Sequence, residues 1–434
     1  ITQRVMTTFV TRVLVASYNT SGLVASSTTS NPKIGTHEST KIQNGVTKLT
    51  DKRKVCVVIT ARPSYSRVKT ALQAIKEHPA LELQLVVAAS ALLDRYGSVV
   101  DQIERDGFHI NERVFMVLEG ENPTSMAKTT GMGIMELATT FLNLKPDVVV
   151  SIADRYETIA TAIAGSYMNI PVAHIQGGEV TGSIDEKVRH AVTKLADVHL
   201  VASDQARQRV IRLGELPQQI FNTGCPSTDL AAEIAKNPKL DFNPFEKYGG
   251  VGNVVDITEG YVVVLQHPVT TEYQHSRRQI EETLHAAAKL ELPVLWFWPN
   301  VDAGSDGTSS GIRAFRETNR SSNFHFFKNM SPHDFLKLLL GCKCLLGNSS
   351  VGIRECAFLG VPVVNVGSRQ AGRERGRNVI DVEHDRNAIL TAAQSQIRHG
   401  RHQSDPIYGD GTAGKRIADV LSTCDLPIEK KLSY

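Results

Sequence analysis

No stretch of this chain approaches the ~18 uninterrupted apolar residues a helix needs to cross a bilayer, so no membrane span is expected. An excess of one charge is missing too, since Lys+Arg 48 against Asp+Glu 45 gives +3. Five of the basic groups (Arg4, Arg12, Lys33, Lys41, Lys48) and one acid, Glu38, fall in residues 1–50, which leaves 43 basic and 44 acidic residues for 51–434. A near-neutral body lacks the electrostatic footprint of a nucleic-acid surface. Cysteine is sparse, and the six are scattered. Cys342-x-Cys344 has no second pair to complete a zinc site, so no metal is expected. The thiols read as reduced groups of an intracellular, cytoplasmic protein. Neither GxGxxG nor a Walker sequence occurs, and TGMGIM (130–135) lies in a helical stretch where its glycines suit packing. Dinucleotide and NTP-hydrolysis chemistry fall away with those motifs.

What is present begins with a segment of different texture. Residues 1–50 are rich in Ser, Thr and Asn with no sustained period, and residues 1–53 read as a disordered or targeting extension. From Lys54 the pattern changes. VCVVIT (55–60) is a continuous apolar run, as in a strand buried on both faces of a parallel sheet. A helical stretch follows, then LELQLVVAAS (81–90), a helix over 126–144, PDVVVSIADRYET, a helix over 157–168, IPVAHI (170–175), a helix over 185–196 and VHLVAS. The alternation lapses among Asn-Pro pairs and GGVGN and resumes with YVVVLQHP, VLWFWPN, FHFFKNM, CLLGNSS and VPVVNVG. Strands alternating with helices predict α/β architecture, as two Rossmann-like doubly wound domains over 54–235 and 260–412. Residues 236–259 read as a linker, and 413–434 as a C-terminal helix able to pack back on the first domain.

Residues 343–366, KCLLGNSSVGIRECAFLGVPVVNV, form the unit on which the chain is centred. A strand ends at Leu346, Gly347-Asn348-Ser349-Ser350 turns the backbone, and Val351–Leu359 has helical composition before Gly360-Val361-Pro362 stops it. A helix N-terminus so placed attracts anions through its free amides. Ser349 and Ser350 can add hydroxyl donors, and Glu355 can accept from a ribose diol. An ordinary capped turn explains the same spacing. Ligands of doubly wound sheets lie beyond the carboxyl ends of strands. The loops there carry Arg62, Ser66, Asp154, Arg155, Gln176, Glu179 and Asp185 in the first half, and His267, Asn300, Ser349, Ser350, Glu355 and Arg369 in the second. Phosphate-binding groups thus come from both halves and most carboxylates from the first, as for a nucleoside diphosphate with its business end against the N-terminal domain.

DRYET, HIQGGEVTGSIDEKVRHAVTKLAD, TGCPSTD, LQHPVTTE, PNVDAGS, GNSSVGIRE, NVGSRQAGRE and IYGDG carry a resemblance. In that order, over residues 55–425, the chain resembles the hydrolysing UDP-N-acetylglucosamine 2-epimerase family, which includes bacterial sialic-acid enzymes and the epimerase half of the bifunctional epimerase/kinase. The match stops with the epimerase-like region, so no kinase domain is expected. The resemblance implies a GT-B-like fold with the active site in the interdomain cleft, a UDP-sugar substrate, no cofactor and a homodimer or homotetramer. It implies loss of UDP through a 2-acetamidoglucal and hydration to the free 2-epimer. It assigns Arg62, Ser66, Arg155, His267, Asn300, Ser349, Ser350, Glu355 and Arg369 to the UDP-sugar, and Asp154 and Asp185 to catalysis. His267 is also a catalytic candidate, and Gln176 and His190 are further substrate-binding candidates, His190 alternatively pairing only with carboxylates.

At Gln176 the chain departs from the pattern, because many members carry a carboxylate there. A glutamine can hydrogen-bond but cannot exchange a proton at pH 7. Either Glu179, in the same Gly-rich turn, carries proton transfer, or it braces the turn and the carboxylate is dispensable. The departure also fits a related substrate, a UDP-diacetamido-trideoxyhexose. A GT-B glycosyltransferase and a non-catalytic UDP-sugar-binding protein are the rival classes.

Overall fold

A computed structural model describes residues 52–93, 99–118, 123–152, 155–180, 184–299, 304–319 and 323–433. The expectations for the N-terminal extension lie outside the described residues. Seven strands build the first sheet: β1 (Arg53–Ile59), β2 (Leu81–Ala88), β3 (Glu112–Val114), β4 (Val148–Ile152), β5 (Val172–Ile175), β6 (Val198–Val201) and β7 (Ile220–Asn222). They run parallel in the order β3-β2-β1-β4-β5-β6-β7. The second sheet contains β8 (Val251–Gly252), β9 (Val262–Leu265), β10 (Val294–Phe297), β11 (Phe324–Phe327), β12 (Cys344–Gly347), β13 (Val363–Val366) and β14 (Val379–Val382). Its order is β14-β13-β12-β9-β10-β11-β8, parallel except for β8. These are two Rossmann-like sheets, as the alternation predicts.

The apolar runs are continuous because the central strands bury both faces. Val148–Ile152, Cys344–Gly347 and Val363–Val366 are buried at every position. Trp296 lies fully buried in the second core beside Val264 and Ile312. All six cysteines are free and buried, and no helix among the described residues is long and apolar enough to cross a membrane.

Two segments differ from the sequence reading. The stretch read as a linker supplies a short helix, Pro244–Tyr248, and the edge strand β8, which pairs antiparallel with β11. The helix expected over 351–359 is two pieces, Ser350–Ile353 and Glu355–Leu359, broken at Arg354 (φ −101°, ψ −73°). The C-terminal helix Ala413–Thr423 packs on the first half, where Ile417, Ala418 and Leu421 join Val68 and Leu72 in one core. Asp229 fixes its start by accepting from Ala413 N–H (2.8 Å) and Gly414 N–H (2.7 Å).

Candidate active site

Strand order reverses at β1/β4 in the first sheet and at β9/β12 in the second, and such switch points open crevices at the strands' carboxyl ends. Arg62 follows β1, Arg155 follows β4, His267 follows β9 and Ser349 follows β12. The sheets therefore place candidates from four separate segments at their two crevices.

In the second half the organising residue is Asn348, fully buried. Its Oδ1 accepts from His267 N–H (2.8 Å), and its Nδ2 donates to His267 C=O (2.9 Å). The Asn348 carbonyl accepts from Arg369 Nη1 (3.2 Å) and Gln370 Nε2 (2.8 Å). One side chain and one carbonyl thus tie together the loops after β9, β12 and β13. Gly347 permits the approach: its φ is +132°, and a Cβ would lie 2.1 Å from Leu265 O. Burial, then the Arg369 charge, holds the His267 imidazole well below its ordinary value, so it is neutral at pH 7. A neutral ring offers one donor and one acceptor rather than an imidazolium acid. Ser349 caps the turn Ser350–Ile353, its hydroxyl accepting from Val351 N–H at 3.5 Å. That helix is four residues long, so any anion here depends more on hydroxyls and Arg369 than on a macrodipole.

The first-half counterpart is the turn after β5. Gln176 is buried at φ +65°, a left-handed conformation unusual for a residue with a side chain. Its Nε2 donates to Cys225 Sγ (2.8 Å), Cys225 Sγ contacts Ser227 Oγ (3.0 Å), and Ser227 hydrogen-bonds Glu355. A polar chain therefore runs from the Gln176 amide to the second half. Burial raises the Glu355 carboxyl above its ordinary value, against the nearby Arg354 charge. Glu179, expected either as the exchanging acid or as a brace for the turn, is ion-paired. Its Oε2 accepts from Arg354 Nη2 (2.9 Å), with Arg373 Nη2 at 3.9 Å, and its carbonyl accepts from Arg189 Nη1 (3.0 Å). Burial alone would raise this carboxyl, but Arg354, Arg373, Arg189 and Arg67 outweigh it and hold it ionised below the usual range. The arginines set its charge and tie it to the second half.

Asp154 and Asn300 lie outside the described residues, as does the Arg62 side chain. Ser66 is half-buried on the helix Arg62–Glu77. Arg155 donates from Nε to buried Glu157 (2.7 Å). Asp185 sits in the first turn of the helix Ile184–Leu195, half-buried, five residues beyond the Gln176–Val180 turn. His190 pairs with Glu186 one turn earlier on that helix (3.3 Å). Asn348, Arg354 and Arg373 are the residues that sequence reasoning missed. The signal available was a polar or charged residue inside a mostly apolar or Gly-rich segment with no local partner.

A family profile described as UDP-N-acetylglucosamine 2-epimerase matches residues 73–422. The chain is 33% identical over 374 residues to the hydrolysing UDP-N,N'-diacetylbacillosamine 2-epimerase of Legionella pneumophila, covering 86% of this chain and 97% of that one. It is 32% identical over 341 residues to polysialic acid biosynthesis protein P7 of Escherichia coli, covering 78% and 84%. The crystal structure of UDP-GlcNAc 2-epimerase from Neisseria meningitidis bound to UDP-GlcNAc has the same fold, with TM-score 0.72, 18% identity, and 85% and 99% coverage.

Proposed function

Because the chain belongs to the UDP-N-acetylglucosamine 2-epimerase family, we propose that it hydrolyses UDP-GlcNAc to UDP and N-acetylmannosamine for synthesis of a sialic-acid-type sugar. The observation that carries this reading is the Asn348 junction, which gathers His267, Ser349 and Arg369 at the second sheet's crevice. In the proposed reaction C2 loses its proton and C1 loses UDP, giving a 2-acetamidoglucal; water then adds at C1 and a proton at the opposite face of C2. Departure of UDP concentrates negative charge on the diphosphate, where fixed donors lower the barrier most. Arg369 supplies a cation there, Ser349 and Ser350 supply hydroxyls, and Glu355 takes the ribose diol. Asp154 and Asp185 exchange the C2 protons, and neutral His267 hydrogen-bonds the departing phosphate. Arg62, Ser66, Arg155, His190 and Asn300 complete the UDP-sugar contacts. The proposal includes two domains meeting at this cleft, a cytoplasmic setting, and a homodimer or homotetramer.

A second substrate reading rests on the Legionella relative, whose name specifies a UDP-diacetamido sugar. Release of UDP from UDP-GlcNAc and from UDP-N,N'-diacetylbacillosamine, compared by kcat/KM, tests the choice. A ratio above ten in favour of UDP-GlcNAc supports the proposal, and the reverse ratio assigns the diacetamido sugar. No release from either sugar refutes the enzymatic reading. Release that requires an added acceptor identifies a transferase.

A further inference from the structure

Arg354 and Glu355 are neighbours, yet both reach the first half of the molecule. The break between the two short helices separates them: Arg354 pairs with Glu179, and Glu355 meets Ser227, which continues through Cys225 to Gln176. From the loop after β13, Arg373 reinforces the first contact. Its Nη2 is 3.9 Å from Glu179 Oε2, and its Nε donates to Val180 C=O at 2.9 Å. Glu179, Arg354 and Arg373 are each less than a tenth exposed. All three follow the carboxyl ends of parallel strands, on the side where the candidate nucleotide and sugar residues gather.

A buried ion pair is a poor source of net stability, because desolvation offsets most of the attraction. What such a pair does supply is geometry. Two guanidiniums from separate loops converging on one carboxylate fix a turn in both distance and direction. The turn so fixed, Gln176–Val180, has two left-handed residues, Gln176 and Gly178. A Cβ on Gly178 would lie 2.3 Å from Ala206 O, so the turn has little room to move. Five residues beyond it comes Asp185.

We propose that Arg354 and Arg373 are positioning residues for the epimerase reaction. By holding Glu179 across the junction of the halves, they set the Gln176–Val180 turn and Asp185 against the nucleotide-side loops. This inference rests on the proposed function for its substrate. Arg67 and Arg189 face the same carboxylate, and burial beside Arg354 pulls the Arg373 guanidinium down to about 9.

The test uses the full chain with Arg354→Met, Arg373→Met, Glu179→Gln and the double variant Arg354→Met/Glu179→Gln. Readouts are kcat, KM, the pH profile of kcat, UDP affinity, and the radius of gyration with and without saturating UDP. Loss of a charge-assisted hydrogen bond is expected to raise KM by about tenfold or more in Arg354→Met, and by less in Arg373→Met. In both, kcat falls less than KM rises, and both limbs of the kcat profile persist. Free Arg354→Met is larger than the parent protein, and saturating UDP narrows the difference. The double variant loses about as much kcat/KM as Arg354→Met alone, because both changes break the same contact. If Arg354→Met does not fold, Arg354→Lys replaces it, with KM between those of the parent and Arg373→Met taken as support. Unchanged KM and unchanged dimensions in both arginine variants overturn the proposal. So does loss of one limb of the kcat profile in Glu179→Gln, since Glu179 is then the proton-transfer group. If the parent protein releases no UDP from either sugar, the functional reading fails; unchanged UDP affinity and dimensions in the variants then overturn the clamp separately.

Discussion

Replacing Asn348 by alanine removes the link between the loops after β9 and β12 while leaving both strands intact. Two buried hydrogen bonds, from His267 N–H at 2.8 Å and to His267 C=O at 2.9 Å, disappear. A buried polar group stripped of its partner costs about 1–3 kcal/mol, so the pair costs about 2–5 kcal/mol after partial relaxation. At about 2–4 °C per kcal/mol for a large domain, the apparent Tm falls by about 4–20 °C. UDP binding weakens in parallel, because the loop that orients His267 drifts from Arg369. Asn348→Asp sharpens the test: the acceptor to His267 N–H survives, but an oxygen now opposes His267 C=O. It is expected to lose at least as much UDP affinity as Asn348→Ala. Calorimetric melting and titration with UDP give both quantities. A Tm within about 2 °C of the parent and unchanged UDP affinity in both variants would refute the reasoning.

Two further outcomes follow from other parts of the molecule. Glu215 accepts from Lys194 (2.6 Å), Lys430 (2.5 Å) and His199 (3.0 Å); burial alone would raise its carboxyl, but these donors hold it at about 2 against an ordinary 4.5. A depressed carboxyl stabilises the fold fully above the ordinary value and progressively less as pH falls toward its folded value. The stability gap between the parent and Glu215→Gln should therefore shrink from pH 5 to pH 2, as read by denaturant unfolding across that range. Gln176→Glu puts a second carboxylate in a buried pocket and removes the amide that donates to Cys225 Sγ; it should lower the Tm by several degrees (about 3 °C or more) without raising turnover. A strong gain in UDP release would show instead that position 176 faces the reacting sugar.

The central strands were legible because parallel strands buried on both faces leave unbroken apolar runs such as VCVVI and VVNV. The edge strands were not. β3, β7 and β8 are three, three and two residues long and mostly exposed, so no alternation survives to mark them. GNSS was legible as a turn, and the half-buried Ser349 and Ser350 sit there. The role of Asn348 was not, since its partner His267 lies 81 residues away. The same distance problem hid the Glu179–Arg354 pair, 175 residues apart. Sequence position made Glu179 the natural substitute for a missing acid, but the two arginines that fix its charge come from the other half. The helix break at Arg354 was equally silent, because IRECAFL has good helical composition and only the long-range partners of Arg354 and Glu355 reveal the interruption.

The central claim is that the cleft carries out elimination followed by hydration on a UDP-sugar. It is tested most directly by turnover of UDP-GlcNAc in deuterated water, followed by NMR. The account predicts free UDP, free N-acetylmannosamine and solvent deuterium at C2 of the sugar, because the abstracted proton is replaced from water. Free N-acetylglucosamine bearing hydrogen at C2, appearing in step with UDP, would contradict it by showing simple hydrolysis without the glucal.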